Sequence, residues 1–361
     1  METTYELNPE DLGNYTGDDY NETYVLGDDR AYCGTETMDM KKFKATFQPV
    51  LYSLIFLLGV AGNGLMVTVL LRRRRGLRIT EIYLLHLAIA DLMLLFTFPF
   101  DVAETLAGWL FGRFLCKLMG LVKNLNIFCG SILLAFIGFD RYLAIVHAIP
   151  SMQSRRPKTV HLTCILLWLV CLGLSIPSFV FLSVDESNTS KPTCFYVNYE
   201  IHSNNWVLTI RVLEHLCFFL SLAVMSYCYT AVVVTLRSSQ KSTAKKGAIR
   251  LALLVTLIFC FCWLPYNISL LITTLEEVQF MPYSNCQLYA ALIVAVDLTK
   301  SLGFSHCCLN PFLYAFVGVR FRNELIQLLC KLGCSRVCLP FIKTQGHSRP
   351  SISDAVTTTT S

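Results

Sequence analysis

The sequence predicts an all-α membrane protein, a seven-transmembrane helix bundle with a short amphipathic cytoplasmic helix after span seven. Three observations carry that prediction. Only 15% of the 361 residues are charged and 54% are hydrophobic, against about 25% charged in an ordinary soluble domain. Seven apolar runs reach the roughly 20 residues that a membrane-crossing helix needs. Basic residues gather in alternate connections, the pattern of a chain threaded back and forth through a bilayer.

The runs lie near 47–71, 82–104, 114–146, 159–182, 206–236, 248–275 and 288–317. Arg72, Arg73, Arg74, Arg75 and Arg78 separate the first two, and Arg155, Arg156 and Lys158 follow the third. Lys241, Lys245, Lys246 and Arg250 open the sixth, and Arg320, Arg322 and Lys331 follow the seventh. Positive charge collects on the cytoplasmic side, so the N-terminus is expected outside the cell. Residues 1–46 then form an acidic, disordered extracellular segment and 47–317 the bundle. Residues 318–334 form the membrane-surface helix and 335–361 a Ser/Thr-rich cytoplasmic tail.

The first segment agrees with an outside location. Before Cys33 it carries Glu2, Glu6, Glu10, Asp11, Asp18, Asp19, Glu22, Asp28 and Asp29 against the single base Arg30. It holds two glycosylation sequons, at Asn14 and Asn21, and a third at Asn188 falls in the loop after span four. No positively charged start with an apolar run precedes span one, so no cleaved signal peptide is expected. The net charge of +5 thus divides into an acidic exterior and a basic interior.

Most of the 16 cysteines lie within apolar runs, where a thiol behaves as a small buried hydrophobe. Cys33, Cys116, Cys194 and Cys286 fall on the oxidising side. Four cysteines allow three pairings, which sequence alone leaves open. Beyond span seven, Phe321, Leu325, Leu328 and Leu329 share one face of a short helix followed by Cys330, Cys334 and Cys338. These thiols are candidates for acylation or stay unmodified.

Several polar insertions interrupt the runs. Asp140-Arg141-Tyr142 closes span three, and charges at a membrane-helix end mark either function or an anchor. Asp91, deep in span two, must face the bundle interior; it could hold a monovalent cation or pair with Asn63 and Asn126. Its bland alternative is a neutral acid hydrogen-bonded in the core. Pro265 in Cys262-Trp263-Leu264-Pro265 and Pro311 in Asn310-Pro311-Phe312-Leu313-Tyr314 each remove a backbone hydrogen bond. One such proline is an ordinary membrane-helix kink. Two of them beside the Arg141 cluster point to a switch.

These motifs, together with Cys116 and Trp168, make the chain resemble the rhodopsin-like G-protein-coupled receptors from Phe47 to Cys334. Within that class it resembles chemokine receptors. The markers are Asp140 to Val146, Thr97-Phe98-Pro99, Trp109-Leu110-Phe111-Gly112, His306-Cys307-Cys308-Leu309-Asn310-Pro311 and the Cys33 and Cys286 positions. The runs Phe179 to Ser183 and Leu313 to Arg322 look most like the type 3 subgroup of CXC receptors, with type 5 next.

The resemblance implies disulfides Cys116–Cys194 and Cys33–Cys286, each typically stabilising by roughly 2–4 kcal/mol. It implies a small basic CXC chemokine of the interferon-inducible group as ligand, caught first by the acidic arm. Tyr20 and Tyr24, with Tyr15, are the tyrosines whose sulfation would add charge there. The cavity would offer Asp101, Glu104, Lys123, Glu214, Asp297 and Lys300, with Glu104 the leading contact. Asp140, Arg141, Tyr142, Tyr229, Trp263, Pro265, Asn310, Pro311 and Tyr314 would form the switch onto an inhibitory heterotrimeric G protein. Asp91 and Asn126 would frame an allosteric sodium site; no other cofactor, metal or nucleic-acid partner is indicated. Ser348, Ser351, Ser353 and Thr357 to Ser361 suit receptor-kinase phosphorylation and arrestin capture. The expected location is the plasma membrane, and the expected outcome is leukocyte chemotaxis.

Three residues depart from the pattern: Ser221 stands where span five usually carries proline, Lys300 where many relatives carry glutamate, and Lys123 at an otherwise uncharged position. They sustain a rival reading, a scavenging receptor that internalises chemokine without G-protein signalling. A channel or transporter is disfavoured because no inverted repeat or pair of half-helices is visible. An enzyme is disfavoured because neither a His-Glu-x-x-His run nor a Gly-x-Ser-x-Gly elbow occurs.

Overall fold

A computed structural model describes residues 38–72, 77–147, 157–185, 191–196, 200–237, 243–278, 286–317, 322–323, 326–327 and 330. Its order is α1 (Met38–Arg72), α2 (Ile79–Leu95), α3 (Phe98–Ala107), α4 (Gly112–Ile145), α5 (Pro157–Phe181), β1 (Leu182–Asp185), β2 (Thr193–Tyr196), α6 (Glu200–Arg237), α7 (Thr243–Glu277) and α8 (Cys286–Val317). Seven segments are long and apolar enough to cross a membrane, α2 and α3 together making the second. The expected seven spans are all present. The surface helix expected at 318–334 falls largely outside the described residues.

Span two is where the sequence reading was too simple. A continuous helix was expected over 82–104, yet the chain breaks at Phe96 and Thr97. Pro99 has no N–H to continue the ladder. Thr97 closes α2 instead: its N–H and its Oγ1 both donate to Leu94 O, at 2.9 and 2.8 Å. α3 then restarts with Pro99 in its first turn, where the missing donor does no harm. This restart carries Asp101 to span three and Glu104 to the β-hairpin. Pro265 and Pro311, by contrast, lie inside helices that run on through them.

The hairpin pairs β1 and β2 antiparallel, with Val184 opposite Cys194. A disulfide from Cys194 to Cys116 near the start of α4 holds it across one end of the bundle, with Cα atoms 5.7 Å apart. The Trp109 N–H donates to Pro192 O at 2.6 Å and pins the same lid from the other side.

The main apolar core lies between the helices, with smaller apolar clusters around Trp109 and Ile145. Trp263 is fully buried and meets Phe304 edge-on at 5.5 Å and Phe259 at 6.3 Å. Two glycines permit close approaches there. A methyl group on Gly303 would lie 2.7 Å from the Trp263 ring, and one on Gly62 would lie 2.8 Å from Pro311. Leu162, Ile165, Leu166, Leu169 and Val170 of α5 stay exposed, an apolar face whose natural solvent is lipid.

Candidate functional site

Three polar layers follow one another from the hairpin end of the bundle to the Arg141 end. The first surrounds a cavity of about 350 Å³ lined by Glu104, Lys123, Arg211, Glu214 and Lys300 among others. Four of the six ionisable residues expected in it are there; Asp101 and Asp297 are not in its lining. Asp101 lies behind Lys123, which donates to its Oδ1 at 2.5 Å. Asp297 is exposed on α8.

The acids of this layer already have donors. Glu104 Oε1 accepts the Cys194 N–H at 2.8 Å, so the residue expected to lead ligand contact also anchors the hairpin. Glu214 is buried and accepts from the Tyr266 hydroxyl at 3.3 Å, with Lys300 and Arg211 near enough to act on its charge. Asn124 donates to Ser178 Oγ, which also accepts from the Tyr196 hydroxyl at 3.3 Å, joining spans three and four to the lid. Burial, then the Glu214 charge, push the Tyr196 phenol up to about 12, so it remains a neutral donor at physiological pH. Arg211, Asn124, Tyr196 and Tyr266 were not singled out in the sequence. Arg211, a charge inside an apolar run, was the one visible signal.

The second layer centres on Asp91, which is fully buried. Asn310 donates to its Oδ2 at 2.8 Å and Asn126 to its Oδ1 at 3.3 Å. Asn63 does not join them. Its amide donates to Gly59 O and Cys307 O, at 3.0 and 2.8 Å, and ties span one to span seven. Asn63 and Asn126 each keep a buried Oδ1 without a hydrogen-bond partner. A buried carboxylate beside the orphaned amide oxygen of Asn126 is a donor set that fits a hard monovalent cation.

His306 connects this layer to Trp263. Its Nε2 lies 3.4 Å from Asp91 Oδ1, and its Nδ1 lies 3.2 Å from the Trp263 indole N–H and 2.7 Å from Gly303 O. Nδ1 can accept from the indole or donate to the carbonyl, but not both at once. In the sequence His306 is part of a family marker, and nothing there points to this link.

The third layer holds the Asp140–Arg141 pair at 2.5 Å, with Asp140 buried. Arg141 keeps a buried Nε without a partner. Tyr229 packs against Gly138 and accepts from Thr256 Oγ1 at 3.3 Å. The Tyr142 hydroxyl meets His147 Nε2 at 2.9 Å and the Tyr227 hydroxyl at 3.4 Å. α8 includes Tyr314, but its side chain lies outside the described set, as does that of Cys286. Tyr20, Tyr24, Asn14, Asn21, Asn188 and Cys33 also lie outside the described residues.

Comparison with known proteins agrees with this architecture. The profile of the 7 transmembrane receptor (rhodopsin family) matches residues 62–314. The human C-X-C chemokine receptor type 5 is 44% identical over 322 residues, covering 88% of this chain and 86% of that one. The human type 3 receptor is 41% identical over 293 residues, covering 81% and 78%. The cattle type 3 receptor is 39% identical over 320 residues, covering 87% and 86%. Type 3 and type 5 receptors thus both stand among its near relatives, and the family is one of receptors, not enzymes. With its seven spans, its buried Asp91 layer and its paired Asp140 and Arg141, the chain belongs to the rhodopsin family of seven-transmembrane receptors, within the chemokine receptors.

Proposed function

We propose that this protein is a plasma-membrane receptor for CXC chemokines that signals through inhibitory heterotrimeric G proteins and drives leukocyte chemotaxis. The observation that carries this reading is the intact Asp140–Arg141 pair at the end of the bundle opposite the lidded cavity. The hairpin end faces outside and the Arg141 end faces the cytoplasm, in keeping with the basic clusters beside it. A basic chemokine is drawn to the acidic segment before Cys33, with Tyr20 and Tyr24 as sulfation sites and Asn14, Asn21 and Asn188 glycosylated. Its flexible end enters the cavity at Glu104, Lys123, Glu214 and Lys300. Members of the interferon-inducible CXC group are the first ligands to try, in keeping with the type 3 likeness.

Ligand entry is relayed through Trp263 and its bond to His306 to the Asp91 layer. A sodium ion there would be held by Asp91 and Asn126, supplying positive charge that favours the resting packing. Arg141 then leaves Asp140 for the G-protein α-subunit as span six moves outward, with Tyr229 and Tyr314 turning toward it. Kinase phosphorylation of the Ser/Thr tail and arrestin capture end the signal.

One observation favours the scavenger reading: α6 runs unbroken through buried Ser221, with no proline to bulge span five. Transfected cells distinguish the two. Toxin-sensitive G-protein activation by a CXC chemokine establishes a signalling receptor; uptake without activation establishes a scavenger and rejects the primary reading.

A further inference from the structure

Trp168, His86 and His161 form a line of polar groups across spans two and four that belongs to none of the three layers. The Trp168 indole N–H donates to His86 Nδ1 at 3.2 Å, and His86 Nε2 lies 3.4 Å from His161 Nδ1. The two imidazole rings meet edge to face, with centroids 5.7 Å apart. Both are half-buried, about two turns into α2 and one turn into α5, at the end of the bundle where both helices begin.

Only one placement of protons satisfies this line. An indole nitrogen can only donate, so His86 Nδ1 must be bare. The single proton of a neutral His86 then sits on Nε2 and is donated to His161, whose own Nδ1 must be bare in turn. Donation in the other direction would leave His86 with no proton at all. A second proton on either ring sets two N–H groups face to face, His86 against Trp168 or His161 against His86. An imidazole ordinarily takes that proton at about pH 6.5, within the physiological range.

The surroundings do not hold the pair in a charged form. His161 is the only titratable group whose charge bears on His86. On α2, Tyr83 packs on Phe136 of α4, Glu81 accepts from the Arg78 N–H, and Asp91 is held by Asn310 and Asn126. On α5, Lys158 and Cys164 lie one turn to either side of His161. Among the described residues neither ring is paired with a carboxylate.

We propose that the His86–His161 contact is a proton switch: with both rings neutral it ties span two to span four, and a proton taken up by His161 parts them. His86 is pinned from behind by Trp168, so His161 is the ring that moves. Once charged, it turns toward the Lys158 end of its helix, where headgroups and water solvate it. The proton comes from the cytosol in the orientation proposed above; the switch itself rests on neither that orientation nor the receptor reading.

Nitrogen-15 labelling of histidine and tryptophan in the full-length protein, held in lipid nanodiscs, observes the line directly. His161→Gln is the reference, because its amide oxygen accepts the His86 N–H and does not titrate. At pH 8, His86 and His161 are each expected to carry a proton on Nε2 alone. Between pH 8 and pH 5.5, His161 should gain its Nδ1 proton, and the His86 Nε2–H resonance should shift with the same midpoint as it loses its acceptor. In His161→Gln that resonance should hold still. A proton on Nδ1 of either ring at pH 8 overturns the proposal. So does a His86 resonance that ignores the His161 titration, or one that shifts equally in His161→Gln. Over the same range the wild type should lose about 2–4 °C more of its Tm than His161→Gln, and equal losses overturn the proposal as well. If His161→Gln does not fold, the proton positions at pH 8 and the shared midpoint in the wild type decide alone.

Discussion

The two ends of the bundle are each built on one acid–base pair, and the pairs differ in origin. Asp101–Lys123 and Asp140–Arg141 are both 2.5 Å apart and both have a buried acid. The inner pair joins chain neighbours on one helix. The outer pair spans 22 residues and depends on the break at Thr97 turning Asp101 toward span three. The inner pair is a feature of the class. The outer pair borders the lidded cavity through Lys123.

That contrast can be broken by substitution. The largest effect is expected from Lys123→Met, which leaves Asp101 buried and unpaired. About 3–5 kcal/mol of stability should be lost, and Asp101→Asn/Lys123→Met should recover most of it. A thermal double-mutant cycle measures the coupling, and additive losses would deny that the pair exists. Cys194→Ser comes next, at roughly 2–4 kcal/mol. Its loss should appear in thermal melts together with weakened chemokine binding, since the lid carries one of Glu104's partners.

Gly303→Ala probes the path between the two ends. The added methyl must displace the Trp263 ring, at about 1–3 kcal/mol, and chemokine efficacy should fall more than chemokine affinity. Concentration–response curves with parallel binding separate the two. The smallest effect sharpens the outer end alone. Tyr196→Phe removes one hydrogen bond to Ser178, about 0.5–1.5 kcal/mol. With the phenol raised to about 12 the loss should be level across neutral pH, which melts at several pH values would reveal.

The legibility of each region follows from how local its interactions are. Span number came from runs of apolar residues, which need no knowledge of neighbours. Asp140, Arg141, Asn310 and Trp263 stand out in the sequence because their motifs are contiguous. Asn126 met Asp91 as expected, but Asn63 turned to span-seven carbonyls instead, a choice set by how spans one and seven pack. Glu104 lines the cavity as expected, yet its bond to Cys194 spans 90 residues and left no trace in the sequence. His306 passed as part of a cysteine-rich marker because nothing near it in the chain indicates Trp263. The Thr97 break was readable in principle from Pro99, and was missed because a lone proline in a membrane helix commonly bends it without ending it.

The most direct test of the central claim, that a lidded outer cavity drives a G-protein switch at the inner end, is Arg141→Ala in transfected cells. Chemokine binding and toxin-sensitive G-protein activation are measured on the same cells. The account predicts binding within a few-fold of wild type and activation abolished. Activation that survives the substitution would contradict it.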